Sequence, residues 1–483
     1  MIFEKFSSVR SLSEAVVLLT DKGDCDKALR LIHDFVDRIF TEPLCVGQVF
    51  GSKALDDLCQ HIGQVNLAKI KRETGEIEYS QPDGPIFIYI VTKLQKSGGH
   101  TRVIEDFIKA QPGGQHVILS TELAGRSDSD NLFEGVEKIA SIVFEQAPKV
   151  NLEKRLTWLQ NHLLKFRPER VYLFNHHQDS VAVAAVQPEM KLNSSFYHHG
   201  DHHLCLGVYL SHFEHIDPHP MGYHNCQIEL GIKNIYLPLM VDDKGDRSAE
   251  LGFLQDGMLT TCTAARSNKV EIPYFVSYCE MVPEILKATG GKHIHIGRLT
   301  PWGLFKIRRG IKKYGIQSDR FVYTPWVPSV WKALQEYQVD LYIASFPYGG
   351  GLTLIEAMGA GIPVALHKHI FSRILSGIDL AYFEAFSWRF PEELLSYCSS
   401  LTSEDLEAAS RLARVQYEKF HSRKNLHGVL NGAVGGQLKP NGLSSEFYIE
   451  SDEWAVWVER QFNVRAMLSR MVYRAFRRLR SWW

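Results

Sequence analysis

The clearest chemical signal in the sequence is the stretch "FPYGGGLTLIEAMGAGIPV", residues 346–364, which follows the apolar run "DLYIASF". Its three consecutive glycines, residues 349–351, allow positive φ angles and a close approach of the backbone to a ligand. A helix beginning near Thr353 would point its unpaired N–H groups at that ligand, and the Thr353 hydroxyl adds a donor. Glu356, one turn later, can accept hydrogen bonds from a ribose diol. The stretch predicts a nucleotide-phosphate site, with an ordinary strand-to-helix turn as the alternative.

The same stretch restricts the kind of nucleotide fold. It contains neither GxGxxG nor a Walker lysine, which disfavours a Rossmann dinucleotide site and a P-loop. Short apolar runs such as "PIFIYIVT" and "KHIHIGR" alternate with helical patterns in two successive blocks, residues 85–245 and 250–430. This alternation predicts an α/β protein with two Rossmann-like, doubly wound domains. Ligands of such sheets lie at the carboxyl ends of the strands, where the glycine stretch also falls.

Two further segments flank these blocks. Residues 1–80 carry apolar residues at three- and four-residue intervals, which predicts a helical cap. Residues 451–483 predict a basic amphipathic C-terminal helix, because seven arginines and no acidic residue follow Glu459, and apolar residues recur at helical spacing. Such a helix suits an anionic membrane surface. Packing of the helix back onto the first domain is an equal alternative.

The composition is that of a soluble globular protein, with 45% hydrophobic and 23% charged residues. The formal net charge of −1 argues against a nucleic-acid partner. Eight scattered cysteines without a CxxC pair indicate reduced thiols. With no signal-like N-terminus and no long apolar run, we expect a cytoplasmic protein, peripheral at the inner face of a membrane if the C-terminal helix binds lipid.

Four pieces of the sequence, taken in order, resemble the GT-B glycosyltransferases. They are "FYHHGDHH", "LTTCTAARSNKVEI", "RFVYTPWVP" and the glycine stretch, within residues 195–375. Among these enzymes the sequence is similar to the O-GlcNAc transferase catalytic region and related bacterial adhesin glycosyltransferases. The resemblance implies two facing α/β domains that bind a sugar nucleotide in a cleft, with the acceptor on the first domain and the donor on the second.

The resemblance also implies the donor-binding residues, which are Arg266, Lys269, Trp326, Gly350, Gly351, Thr353 and Glu356. Arg266 and Lys269 would hold the donor diphosphate, which agrees with two cations three residues apart after a strand. A solvated basic turn is the alternative. Trp326 would lie near the base, with a core tryptophan as its alternative. Tyr348 stands eight residues before Glu356, where retaining enzymes of the glycogen-synthase type have a glutamate, and this favours an inverting mechanism.

Histidines concentrate in the first block, where ten of the chain's 21 lie between His176 and His224. By the resemblance, the loop "HHGDHH" lies near donor and acceptor, so that His198, His199 or Asp201 would assist deprotonation of an acceptor or steady the leaving diphosphate. A zinc or other transition-metal site is chemically plausible but matches no defined spacing. Structural histidines are the third reading. We expect no metal and no cofactor besides the donor.

Taken together, these patterns predict a hexosyltransferase-type glycosyltransferase. It would transfer a sugar from a nucleotide-sugar donor, expected to be UDP-linked, to a glycan or protein acceptor. A metal-dependent hydrolase or epimerase centred on the histidines is one alternative. A non-catalytic GT-B-like binding module is the other.

Overall fold

The computed structural model describes residues 8–42, 45–74, 84–96, 99–128, 132–247, 252–370, 372–430 and 438–443, with isolated positions between 452 and 475. The chain forms two α/β units, whose main segments are Met1–Leu237 and Pro238–Asn425. Each unit is built around one parallel sheet with flanking helices. The predicted α/β fold class with two doubly wound domains is confirmed.

Three helices open the first unit: α1 (Val9–Asp21), α2 (Cys25–Phe40) and α3 (Lys53–Thr74). Side-chain caps start the first two, because Ser8 accepts a hydrogen bond from the Ser11 amide and Asp24 accepts one from the Lys27 amide. Their buried residues belong to the same core as those of the sheet's central strand. The predicted helical cap therefore shares its core with the first sheet.

The first sheet has seven strands in the order β3-β2-β1-β4-β5-β6-β7, all parallel. The strands are β1 (Ile86–Val91), β2 (Gln115–Ser120), β3 (Ser141–Gln146), β4 (Arg170–Phe174), β5 (Ser194–Tyr197), β6 (Phe213–Asp217) and β7 (Asn234–Tyr236). The helices are α4 (Gly99–Ala110), α5 (Leu152–Phe166), α6 (Ser180–Ala185) and α7 (Pro220–Ile228). Strand order reverses between β1 and β4, which makes that position the switch point where ligands of doubly wound sheets bind.

The second sheet has six parallel strands in the order β10-β9-β8-β11-β12-β13. They are β8 (Thr260–Ala264), β9 (Lys292–Ile296), β10 (Phe321–Thr324), β11 (Leu341–Ile343), β12 (Val364–His367) and β13 (Phe386–Trp388). The helices are α8 (Ser267–Val270), α9 (Tyr278–Thr289), α10 (Pro301–Lys313), α11 (Val330–Glu336), α12 (Gly351–Gly359), α13 (Arg373–Ser376), α14 (Pro391–Ser400), α15 (Ser403–Gln416) and α16 (Arg423–Leu430). Here the order reverses between β8 and β11.

The C-terminal segment is described only at isolated positions, and these are helical. Its described apolar side chains are largely exposed, from 44% at Met467 to 74% at Val464. Among the described residues, no helix is both long and apolar enough to cross a bilayer. All eight cysteines are free thiols and seven are buried, as the scattered pattern predicted.

Candidate functional site

The loops after β8 and β11 meet at the switch point of the second sheet. Lys269 lies in the short helix α8 after β8, and its Nζ donates a hydrogen bond to the carbonyl oxygen of Gly349 at 2.9 Å. The Lys269 carbonyl accepts a bond from the amide of Tyr348 at 3.4 Å. The predicted lysine and the predicted glycine loop are therefore in direct contact.

The glycines are required by space rather than by dihedral angle. A Cβ on Gly349 would lie 2.9 Å from the carbonyl oxygen of Ser376, and one on Gly350 would overlap Oγ1 of Thr353. Gly350 has a φ of −107°, and none of the three glycines has a positive φ. The prediction that these glycines adopt positive φ angles is therefore wrong. A side chain at Gly349 would collide with backbone oxygen atoms, whereas a Cβ at Gly350 would meet only the end of the Thr353 side chain.

Helix α12 begins at Gly351, two residues earlier than predicted. Its N-cap, Gly350, has no side chain to cap the first-turn amides. Oγ1 of Thr353 is buried, close to Tyr342, and makes no hydrogen bond of normal geometry. Buried hydroxyls almost always have a partner, so these N–H and O–H groups together offer donors to an anion.

Charged side chains surround this loop. Lys269 is half-buried, and burial lowers the pKa of its ammonium group. Arg266 is exposed at the N-cap of α8. Oε1 of Glu356 lies 3.9 Å from Nζ of Lys244, which donates to the Ser329 hydroxyl at 2.7 Å. Lys244 was missed from the sequence, because it lies in an irregular segment before β8 where no local pattern marks it.

Trp326 follows β10, the edge strand of the second sheet, and its side chain is 69% exposed. The alternative of a core tryptophan is therefore wrong. An exposed aromatic ring in a loop at the carboxyl end of a strand is available to stack on a planar group. Its predicted place near the nucleotide base stays a prediction.

At the switch point of the first sheet, three histidines come together from three neighbouring strands. His100 follows β1, His176 follows β4 and His199 follows β5. The ring centroid of His100 lies 3.7 Å from that of His199 and 5.1 Å from that of His176. Burial lowers the pKa of His100 to about 4, and burial together with the charge of His100 lowers the pKa of His199. The half-buried imidazoles of His100 and His199 are therefore neutral at pH 7. Of the three, only His199 was singled out from the sequence.

A second group lies on the other side of the same strand end, because successive residues of an extended chain point in opposite directions. Nδ1 of His198 lies 3.0 Å from Oδ1 of Asp217, and Sγ of Cys226 lies 3.4 Å from the same nitrogen. Nε2 of His215 lies 3.3 Å from Oδ2 of Asp217. All four residues are buried. Sequence reasoning missed three of them; the "HID" pattern on β6 was the available signal, since residues two apart on a strand share a face.

Asp201 belongs to neither histidine group. Its side chain is buried against α7, where a Cβ on Gly222 would lie 2.7 Å from Oδ2. Its other oxygen lies 3.8 Å from Nδ1 of His202. The structure therefore places the three sequence-predicted residues His198, His199 and Asp201 in three different surroundings.

One buried carboxylate holds the loops of the first sheet in place. Oδ2 of Asp179 accepts hydrogen bonds from the hydroxyls of Thr92 and Thr121, each at 2.6 Å, while Oδ1 caps α6 at the Ala182 amide. The Thr92 hydroxyl also accepts a bond from the amide of His176. Burial raises the pKa of Asp179, against these hydrogen bonds. The loops after β1, β2 and β4 are thus tied to one residue, which positions His176.

Comparison with solved structures places the architecture in the GT-B class. A glycosyltransferase from Rickettsia africae matches with a TM-score of 0.55 and 14% identity, over 72% of this chain and 97% of its own. Anabaena HepE, solved with UDP and glucose, matches with a TM-score of 0.52 and 11% identity, over 72% and 98%. The two-unit α/β fold is that of GT-B glycosyltransferases, as the resemblance implied.

The narrower resemblance has less support. An O-GlcNAc transferase from Thermobaculum terrenum matches at 12% identity over 88% of this chain and 83% of its own, with a TM-score of 0.48. A TM-score below 0.5 does not establish a specific likeness, so the resemblance to the O-GlcNAc transferases stays a prediction. No protein-family model and no curated protein matches the sequence.

Proposed function

We propose that the protein transfers a glycosyl group from a UDP-linked sugar to a glycan or protein acceptor. The observation that carries this proposal is the convergence at the second switch point, where Lys269, the glycine loop and the buried hydroxyl of Thr353 meet the start of α12. The GT-B fold supports it, and HepE, which has this fold, was solved with UDP and glucose.

In this proposal the second unit stabilises the leaving diphosphate. Lys269 and Arg266 supply positive charge, and the first turn of α12 with the Thr353 hydroxyl supplies hydrogen-bond donors. Fixed donors of this kind lower the barrier most where negative charge develops, which here is on the departing phosphates. No metal or cofactor is needed at this step. Gly350 and Gly351 leave room for the phosphates, Glu356 accepts hydrogen bonds from the ribose, and Trp326 stacks on the base.

The first unit serves the acceptor in the same proposal. His199 is half-buried, so its ring is accessible, and as a neutral imidazole it can take the proton of an acceptor hydroxyl. His198 and Asp201 are both buried, at 1% and 6% exposure, which suits support of this loop better than contact with an acceptor. The acceptor is a glycan or protein rather than a nucleic acid, because the chain carries a net charge of −1.

A two-stage experiment tests the proposal. The first stage compares thermal unfolding with UDP, GDP and ADP and with their sugar conjugates. A ligand that binds only the native state raises the melting temperature, and we expect UDP and one UDP-sugar to do so. The second stage measures hydrolysis of that UDP-sugar without an acceptor. Stabilisation without turnover would favour the binding module, and no stabilisation by any nucleotide would contradict the donor site.

We also propose that the C-terminal segment binds an anionic membrane surface. Seven arginines and no acidic residue follow Glu459. Three of the described apolar side chains at helical spacing, Val464, Met471 and Val472, are more than half exposed, and Met467 is 44% exposed. A helix packed on the protein would have covered them. Each arginine near a negatively charged leaflet contributes about 1 kcal/mol, and the apolar side chains add burial at the interface.

Sedimentation with liposomes tests this second proposal. We compare the full chain with a variant ending at Ser451, using anionic and neutral vesicles at low and high salt. Salt-sensitive binding of the full chain to anionic vesicles, lost on truncation while the melting temperature is kept, is the expected result. A marked fall in melting temperature with no lipid effect would show that the segment packs on the protein.

A further inference from the structure

The buried group made by His198, His215, Asp217 and Cys226 has a composition that the proposed function does not explain. The four residues come from the end of β5, from β6 and from α7, and all are buried. One potential ligand atom from each lies within 4.8 Å of all the others. Two imidazoles, a carboxylate and a thiol are all typical ligands of zinc.

The spacing of these atoms is close to that of a tetrahedral metal site. With zinc–nitrogen bonds of about 2.0–2.1 Å and a zinc–sulfur bond of about 2.3 Å, neighbouring ligand atoms lie roughly 3.3–3.6 Å apart. Here Nδ1 of His198 lies 3.0 Å from Oδ1 of Asp217, and Nε2 of His215 lies 3.3 Å from Oδ2 of the same carboxylate. Sγ of Cys226 lies 3.4 Å from Nδ1 of His198 and 3.5 Å from Oδ1 of Asp217.

We propose that these four side chains bind one divalent transition-metal ion, zinc by its ligand preference, in a closed structural site. This departs from the absence of metal expected from the sequence, where the ligand spacing matched no defined motif. The inference concerns the first unit alone and does not depend on the glycosyltransferase proposal.

A second observation points to a ligand. Nε2 of His215 is buried, faces Asp217 and makes no hydrogen bond of acceptable geometry. A buried imidazole nitrogen that makes no well-formed hydrogen bond is costly, and coordination would satisfy it. The amide of Asn234 donates to Oδ2 of Asp217 and also to the carbonyl oxygen of Tyr223. Metal-binding carboxylates are commonly oriented by such an outer hydrogen bond.

Charge balance supports the same assignment. Asp217 has 0% exposure, and a buried carboxylate needs a compensating charge. A divalent ion bound by one carboxylate, one thiolate and two neutral imidazoles gives a complex with no net charge. Binding would deprotonate the Cys226 thiol and release that proton to solvent. The ion would then join β5, β6 and α7 next to the peptide that carries His199.

The competing metal site in this unit is the group of His100, His176 and His199, whose nitrogens also lie within 4.8 Å of one another. It offers three imidazoles and no anionic ligand, and its residues are half-buried. The experiment must therefore distinguish a site with a thiolate from one without.

The test uses the full-length protein purified without added chelator. Elemental analysis after dialysis should find about one zinc ion per chain, as expected for a closed site. Cobalt exchanged into the protein should give tetrahedral visible bands and a thiolate-to-cobalt charge-transfer band. The Cys226→Ser variant should lose that band, whereas His176→Ala should keep it. Asn234→Ala, which retains all four ligands, should bind metal about 10- to 100-fold more weakly.

Several outcomes would overturn the assignment. The wild-type spectrum is decisive even if a variant fails to fold, because cobalt bound without a thiolate band excludes Cys226. Loss of metal in His176→Ala with retention in Cys226→Ser would move the site to the other histidine group. Protein that neither carries zinc nor takes up zinc or cobalt would show that the four side chains form only a hydrogen-bonded network.

Discussion

The two sheets reverse their strand order at equivalent places, between β1 and β4 and between β8 and β11, yet they present different chemistry there. The second switch point has a lysine, a glycine loop and an uncapped helix start. The first has three half-buried imidazoles. The same topological position thus carries a cation and hydrogen-bond donors in one unit and imidazoles in the other, and the residues directly after the strands make the difference.

Histidines within strands sharpen this contrast. His293 and His295 lie inside β9 of the second sheet. Nε2 of His293 lies 3.0 Å and Nδ1 of His295 lies 2.6 Å from the hydroxyl oxygen of Tyr278. They are fully buried and have a partner, as structural histidines do. His100, His176 and His199 lie beyond their strands, where they face one another. Among these five histidines, those inside a strand have structural partners, and those beyond the strand ends face one another.

The largest expected effect is on turnover. His199→Ala should lower kcat by about 10²- to 10⁴-fold, as loss of a general base does, with little change in the dissociation constant of UDP. Steady-state kinetics and calorimetric UDP binding measure the two quantities. The matched control is His61→Ala on α3, which should change neither. A rise in the UDP dissociation constant with kcat unchanged would contradict the division of roles between the two switch points.

The donor side should respond in the opposite way. Lys269→Ala, and separately Glu356→Ala, should weaken UDP binding about 10- to 160-fold, because each removes a charge-assisted contact worth roughly 1.5–3 kcal/mol. Calorimetry with folded protein checks the result. Lys312→Ala, an exposed lysine in the last turn of α10, is the control. Unchanged affinity in both folded variants would remove the proposed donor site.

The glycine loop allows a finer comparison between adjacent positions. A Cβ on Gly349 would collide with backbone oxygen atoms, so Gly349→Ala should cost about 1–3 kcal/mol of unfolding free energy. A Cβ on Gly350 would meet the rotatable Thr353 hydroxyl, so Gly350→Ala should keep stability and lose UDP affinity. Urea unfolding and calorimetry separate the two. Equal effects of both substitutions on stability would show that the loop is packed for structure alone.

The smallest effect concerns the strand histidines. Burial lowers the pKa of His293 to about 3, so its stabilising neutral state is fully present above the unfolded pKa of 6.5 and is lost as pH falls toward 3. Between pH 7 and pH 5 this histidine should account for about 2 kcal/mol of lost unfolding free energy. His293→Gln should reduce that loss in urea unfolding while leaving kcat at pH 7 unchanged. A fall in kcat at pH 7 would contradict the assignment of His293 as a purely structural histidine.

Much of the fold could be predicted from sequence, because buried parallel strands are continuous apolar runs. Ten of the strands coincide with such runs. The three that were missed are β3, β6 and β13. β3 is a partly exposed edge strand, β6 carries His215 and Asp217 among its five residues, and β13 has three residues. Polar content and short length hide strands whose stability comes from pairing with neighbours.

The glycine loop before α12 could also be predicted, since the glycines, Thr353 and Glu356 are close in sequence. The group of His100, His176 and His199 could not be predicted, because its members follow three different strands far apart in the chain. His100 lies 99 positions before His199 and 76 before His176, and only strand order brings them together. The same reason hid Lys244, whose contact with Glu356 spans 112 positions.

The opposite orientation of His198 and His199 has a consequence for how this loop can change. Adjacent residues usually share neighbours, so that substitutions at both couple. Here one imidazole contacts Asp217 and the other contacts His100, and substitutions at the two positions should add in free energy. A single-residue insertion within β5 would turn both rings to the opposite faces of the strand end. The two adjacent histidines therefore lie in two separate surroundings, and their orientation depends on the register of β5.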